Sequence, residues 1–306
     1  MDGTVVITRA LFGALALVMF GLGLSLSVAD FRRLAQHPKA VAIALLLQVV
    51  GLPLACYAIV VAFGMPPVFA VGLMLLAASP GGISANLFSH LFGGNVAMNI
   101  SLTAANTVLS ILTLPLIANW AIAHFIQSGQ LVPMQTGKLL EVIAIVLMPV
   151  LIGMVVASRR PGFSARMEKP VKVFSAVVLA VVTVLAIAKE WSSISVAFAQ
   201  IGPAVLLFNL LSLGAGYGLS RVAGLDRPLA TAISYEIGIH NSTLAIFVAL
   251  SVLGSYQLAL PAAIYSVVMY LTAPLFGLLL RRGARAADSA QAAQAARAAV
   301  APATPN

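Results

Sequence analysis

"YEIGIHNSTL", residues 235–244, lies between "RPLATAIS" (227–234) and "AIFVALSVLG" (245–254), two stretches that would be at home in lipid. It puts a carboxylate (Glu236), an imidazole (His240), an amide (Asn241) and two hydroxyls (Ser242, Thr243) in the middle of a membrane-length run. An acid at the centre of a spanning helix costs at least about 2.5–3.5 kcal/mol on insertion scales. What offsets that cost decides the fold and the function together.

The 306 residues are 61% hydrophobic and 8% charged, with a mean hydropathy of +1.06; a soluble domain carries about 25% charged residues. This is the composition of an integral membrane protein. Apolar runs of about 20 residues recur, each long enough to cross about 30 Å of hydrocarbon as a helix. They are too long and too uniformly apolar for barrel strands, so the reading is an all-α bundle. Nine spans are predicted, at 5–26, 40–62, 68–92, 95–125, 138–157, 173–190, 196–220, 228–252 and 260–280.

The net charge of +9 follows the loops. All basic residues except Arg9, Lys138 and Lys189 follow spans one, five, seven and nine. By the positive-inside rule that side is cytoplasmic. The expectation is a multi-pass protein of the plasma (cell inner) membrane with its N-terminus outside and its C-terminus in the cytoplasm. Arg32 and Arg33 directly after span one favour its retention over cleavage as a signal peptide. The lone cysteine, Cys56, excludes an intramolecular disulfide and any multi-thiolate metal site and is read as inert packing. Residues 1–282 form one transmembrane domain, and the Ala-rich 283–306 is expected to be a frayed helix leading into a disordered cytoplasmic tail.

Two spans are interrupted. Span three contains "AASPGGISANLFSH" (77–90), where Pro80, Gly81 and Gly82 remove a backbone donor and permit unwound chain. Span eight holds the opening motif at similar depth, with Gly238 but no proline. Irregular backbone at membrane depth is tolerated only when buried in protein or lining a cavity, and paired broken helices are a transporter signature. Aligning spans one to four with six to nine pairs span three with span eight. In span four, Asn95, Asn99, Thr103 and Asn106 recur along one helix face; the stripe suits either interhelical hydrogen bonding or a polar site. Glu236 is the only acid at depth, with no deep Lys or Arg beside it. A bound cation or a proton is left to neutralise it, unless it is a neutral, hydrogen-bonded structural carboxyl. Amides, hydroxyls and carbonyls from spans three, four and eight are the oxygen ligands a hard cation takes.

With these residues in view the chain resembles the bile acid:sodium symporter family. The resemblance is carried by "PGGISANLFSHLFGGNVAMN" (80–99) and "YEIGIHNSTLA" (235–245), and supported by "MFGLGLSLSVADFRRLAQHPKA" (19–40) and "LLLQVVGLPLA" (45–55). It reaches to about residue 282. It implies an inverted-repeat transporter fold in a nine-span form, with a panel of spans one, five and six and a core of spans two to four and seven to nine.

It also implies two sodium sites. The first would use Ala85, Asn86, Asn99, Thr103 and Glu236, although Ala85 lacks an expected hydroxyl and Asn99 brings an amide where serine is common. The second would use Gln48, Glu236, the carbonyls of Ile237 and Ile239, and His240, where the family usually has glutamine. An imidazole suits protons and transition metals better than sodium. His240 therefore stays open between hydrogen bonding to a carbonyl, proton coupling and sodium ligation. The substrate positions carried over are Gly82, Ile83, Ser84, Asn241 and Ser242.

The function expected from this is sodium-coupled import of a small or amphipathic organic anion by alternating access. Its partners are sodium ions, the anion and the bilayer, with no nucleic acid and no cofactor beyond the coupling ions. The rival is a proton-coupled carrier using Glu236 and His240. An intramembrane enzyme lacks support, since no HExxH motif or paired acidic cluster is present. A receptor or assembly subunit would need more extramembrane surface than the short loops provide.

Overall fold

The computed structural model describes residues 3–126, 136–167, 170–171, 173–174, 177 and 191–300. Every regular element among them is a helix. α1 (Gly3–Ser25) turns by 71° into α2 (Val28–Leu34). The turn has a local cause: the Ser27 backbone N–H and hydroxyl both donate to Asp30 Oδ2 at 2.7 Å, and Arg33 meets Asp30 Oδ1 at 2.6 Å. Capping starts the new helix, and the arginine satisfies a carboxylate that would otherwise be buried unpaired.

α3 (Pro38–Leu46) passes through a π-helical turn (Leu47–Gly51) into α4 (Leu52–Ala62), forming one span. α5 (Pro67–Ala77) and α6 (Ile83–Leu91) are the halves of a broken span, followed by α7 (Val96–Phe125), α8 (Thr136–Arg159) and α9 (161–167). α10 (Trp191–Val222) precedes a second broken span, α11 (Arg227–Gly238) and α12 (Ser242–Phe247), which a π-helical turn extends to Val252. α13 (Tyr256–Val300) closes the order.

Four helices among the described residues are long and apolar enough to cross a membrane: Pro38–Ala62, Val96–Phe125, Val196–Val222 and Tyr256–Gly283. The bent α1–α2 pair makes a fifth when counted as one span. Nine were expected. Of the four others, two are the broken spans, whose halves are each too short to cross alone, and the expected fifth span, 138–157, lies in α8, of which Ala144–Arg159 is a shorter apolar helix. The expected sixth span, 173–190, lies outside the described residues except at 173–174 and 177, and the tail beyond Val300 lies outside them too.

α13 continues through residues 283–300, within the stretch read from the sequence as a helix leading into a tail. Alanine is the best helix former, and this stretch is largely alanine, so propagation from a long helix costs little.

α1 packs along α8. Their backbones touch at Gly23 and Gly153, where a Cβ on Gly23 would run into the Val150 carbonyl; small residues at such contacts let membrane helices pack closely. A second cluster surrounds the breaks: α7 packs on α5, α6 and α11, and α13 packs on α5, α10 and α12. Leucines such as Leu116 (70% exposed) and Leu271 (64%) cover the outer faces, as expected of surface that meets lipid.

Candidate functional site: the crossing of two broken helices

The two breaks meet. Gly81 and His240 pair as an antiparallel bridge; Gly82 N–H donates to Ile239 O at 2.7 Å, and Asn241 N–H donates to Pro80 O at 2.8 Å. Each break thus satisfies backbone groups that the other exposes, which is what buried irregular chain requires.

The second break forms without proline. Asn241 explains it: its side chain accepts from Leu244 N–H and caps α12, while Asn241 N–H is committed to Pro80. Asparagine at an N-cap restarts a helix wherever the preceding residues leave helical geometry.

Glu236 is fully buried in α11. Its Oε2 accepts from Thr103 Oγ1 at 2.6 Å and Asn99 Nδ2 at 3.2 Å, and its Oε1 accepts from Asn106 Nδ2 at 2.9 Å. Gly81 packs directly on the carboxylate, and a Cβ there would overlap Oε1. Hydrogen bonds to a charged group contribute roughly 1.5–3 kcal/mol each, against several kcal/mol to desolvate the ion. They redistribute the negative charge without cancelling it. The one ion pair among the described residues is Asp30–Arg33, so no basic side chain neutralises Glu236.

The amides that hold Glu236 point their oxygens elsewhere. Oδ1 of Asn99 and of Asn106 is buried without a partner, as is Oδ1 of Asn86 in α6. Two buried acceptor oxygens beside a carboxylate, with a third on α6, which packs on α7 and α11, are the kind of donor a hard cation takes.

For the first expected site, then, the structure brings Asn99, Thr103 and Glu236 into direct contact. Asn86 leaves a free acceptor, and Ala85 is buried with no side-chain heteroatom. Asn106 was read only as part of the stripe and joins the carboxylate directly; its helical spacing from Asn99 and Thr103 was the available signal. Asn95 leaves the stripe, because its side chain caps α7 by accepting from Met98 N–H at 2.9 Å.

The second expected site divides. Gln48, in the π-helical turn, and His240 converge on one atom: Gln48 Nε2 donates to Ser79 O at 2.9 Å and to Ala77 O at 3.3 Å, and His240 Nδ1 lies 3.2 Å from Ser79 O. A carbonyl only accepts, so Nδ1 carries the hydrogen. Gln48 Oε1 and His240 Nε2 are left buried and unpartnered. The His240 ring is stacked on Phe208 (5.6 Å between centroids) and edge-on to Tyr265 (5.4 Å). The Ile239 carbonyl takes the Gly82 N–H, Ile237 is fully buried, and the side chains bonded to Glu236 come from α7 rather than from Gln48 or His240.

Of the expected substrate positions, Gly82 caps α6 and Asn241 caps α12, while Ser242 Oγ is buried without a partner. Ser84 Oγ pairs with Tyr270 OH at 2.7 Å. The Ile83 side chain lies outside the described residues. Tyr270, on α13, was not anticipated.

Nor was a polar cluster between α10 and α13. Asn209 Nδ2 donates to Gly238 O (3.0 Å) and to Tyr265 OH (2.9 Å), Tyr265 OH donates to Gly238 O (2.9 Å), and Thr272 Oγ1 donates to Asn209 Oδ1 (2.5 Å). Its spacing matches that of Gln48. Asn209 reaches a carbonyl 29 residues ahead, as Gln48 does in reaching Ala77. The two amides stand at the offset of 161 that separates Ser79 from His240, as do Pro67 and Pro228 at the starts of α5 and α11.

Comparison with known proteins bears on the family. Residues 13–197 match the family model described as the Sodium Bile acid symporter family. The chain is 30% identical over 273 residues to a protein of Arabidopsis thaliana named "Probable sodium/metabolite cotransporter BASS1, chloroplastic", covering 88% of this chain and 66% of that protein. The rice (Oryza sativa subsp. japonica) protein of the same name is 31% identical over 254 residues, covering 83% and 61%. The chain thus spans under two thirds of the length of either plant protein. The "Uncharacterized sodium-dependent transporter YocS" of Bacillus subtilis (strain 168) is 27% identical over 257 residues, covering 83% of this chain and 77% of that one. A multi-pass helical protein whose two broken helices cross beside a buried carboxylate that has no basic partner among the described residues, and more than half of whose length matches that family model, belongs to the sodium bile acid symporter family.

Proposed function

We propose that this protein is a sodium-coupled secondary transporter that imports a small or amphipathic organic anion by alternating access. The observation that carries the reading is Glu236: a fully buried carboxylate held by amide and hydroxyl donors, with unpaired amide oxygens beside it and no basic partner among the described residues. Sodium bound there completes the charge balance and the coordination of those oxygens together.

The first cation site comprises Asn86, Asn99, Thr103 and Glu236, with Asn106 added and Ala85 offering only its backbone. The second comprises Gln48, His240 and the Ile237 and Ile239 carbonyls, with Glu236 between the two sites. Cation binding draws α6, α7 and α11 together at the crossing. That orders the N-terminal end of α6 and the positions Gly82, Ile83, Ser84, Asn241 and Ser242 for the carboxylate or sulfonate of the substrate.

The fold assigned to this activity is nine spans in an inverted repeat within residues 1–282. Spans one, five and six form a panel, and the remainder a core that moves against it. The offset of 161 shared by Gln48 and Asn209, by Pro67 and Pro228 and by Ser79 and His240, and the pairing of Pro80 with Asn241 at that same offset, support the repeat. The charge distribution supports an external N-terminus and a cytoplasmic C-terminus in the cell membrane.

The test is uptake of a panel of organic anions into proteoliposomes under an imposed sodium or proton gradient. Sodium-driven uptake that Glu236→Gln abolishes is the expected result. Uptake driven by protons alone, or unchanged in that variant, overturns the reading.

A further inference from the structure

The crossing is held from both sides by amides, and the two holds differ. In the first half, Gln48 spends both amide hydrogens on Ala77 O and Ser79 O, and its oxygen is left bare. In the second half, Asn209 is saturated. Its two hydrogens go to Gly238 O and Tyr265 OH, and its oxygen receives Thr272 Oγ1.

We propose that the Asn209–Tyr265–Thr272 cluster is a positioning device for the coupling cation, holding the α11 side of the crossing rigid while the Gln48 side stays open to respond. The proposal rests on the reading of the crossing as a cation site. Three observations lead to it.

First, the held atom is the right one. Gly238 is the last residue of α11, two positions beyond Glu236 and flanked by Ile237 and Ile239. With two donors on the Gly238 carbonyl, the peptide plane that follows cannot rotate, and the carbonyls on either side are fixed in turn. Second, Tyr265 reaches two parts of the crossing at once: its hydroxyl holds Gly238 O and its ring meets the His240 ring edge-on. Phe208, next to Asn209 in α10, covers the opposite face of that imidazole. Third, the cluster is complete, with Thr272 partly buried. Asn209 and Tyr265 are fully buried, and none of their polar atoms lacks a partner, whereas Gln48 Oε1 and His240 Nε2 both do. A satisfied network rigidifies its surroundings, and an unsatisfied acceptor awaits a ligand.

None of the three side chains touches the cation in this account. Their effect passes through the backbone, as outer partners orient the ligands of a metal site. A merely structural cluster would lower stability on mutation without changing what sodium does.

The experiment separates these. The purified protein is unfolded thermally in potassium with increasing sodium, for the wild type, Thr272→Val, Thr272→Ser and Tyr265→Phe. Thr272→Val removes the hydroxyl that locks Asn209, and Tyr265→Phe removes one donor to Gly238 while keeping the ring on His240. Both are expected to raise the half-saturating sodium concentration about tenfold, with Thr272→Ser within about twofold of wild type, the low end of what outer partners contribute to metal affinity. Half-saturation within about twofold of wild type in Thr272→Val and Tyr265→Phe, whatever the fall in the potassium baseline, overturns the positioning role. A wild type that sodium does not stabilise overturns the cation reading itself, and this proposal with it.

Discussion

The two breaks at the crossing do the same job by different means. The first is written into the backbone: Pro80, Gly81 and Gly82 lie between α5 and α6. The second has no proline and is written into side chains, with Asn241 restarting the helix and Asn209 and Tyr265 holding the end of α11. Proline alone does not explain the first. Pro115, Pro149, Pro203, Pro261 and Pro274 all sit inside continuous helices here. A spanning helix absorbs a proline when neighbours satisfy the freed groups. What breaks a span in this molecule is a partner break that offers hydrogen bonds in exchange, together with a small residue or a cap that lets the chains approach.

That contrast can be broken by substitution, and the effects should fall in a definite order. Glu236→Gln is expected to have the largest effect, eliminating sodium-driven uptake in proteoliposomes, because it removes the charge that both halves surround. Gly81→Ala comes next. Its Cβ would overlap Glu236 Oε1, and overpacking costs roughly 1–3 kcal/mol, to be read as a lowered unfolding midpoint. The residue at the matched offset in the second half, Ser242, gives the opposite expectation. Its hydroxyl is buried without a partner, so Ser242→Ala should be neutral or slightly stabilising by the same measurement.

Asn241→Ala should cost about 1 kcal/mol through the lost cap on α12, and Asn241→Asp should recover most of it. Pro80→Ala should cost less than Asn241→Ala, under about 1 kcal/mol, because the carbonyl that Asn241 uses is retained. A Pro80→Ala loss larger than that of Asn241→Ala would mean that backbone chemistry, and not the crossing, makes the first break.

Much of this could be read from residues alone, for physical reasons that differ between the halves. Pro80-Gly81-Gly82 announces its own irregularity, and Glu236 stands out because a lone deep acid has few explanations. Helical spacing puts Asn99 and Thr103 on one face, and the family resemblance is what assigns them to the site. The same spacing included Asn106, but it could not tell that Asn95 would be spent on capping, since a cap is decided by where the helix begins. Asn209, Tyr265 and Thr272 were not legible, because they lie on two different spans and scattered polar residues in an apolar span do not say which of them meet. Their roles appear only when α10 and α13 are packed on α11. The nine spans counted in the sequence already include the two broken ones, whose halves are each too short to cross alone, and a sixth that lies almost wholly outside the described residues.

The central claim, that the buried carboxylate at the crossing is a sodium site, is tested most directly by equilibrium binding of radiolabelled sodium to the purified protein, wild type beside Glu236→Gln, in a potassium background. Saturable binding to the wild type, lost in Glu236→Gln while that variant keeps its thermal transition in potassium, is the predicted result. Equal binding to the two proteins, or no saturable binding to the wild type, would contradict the account.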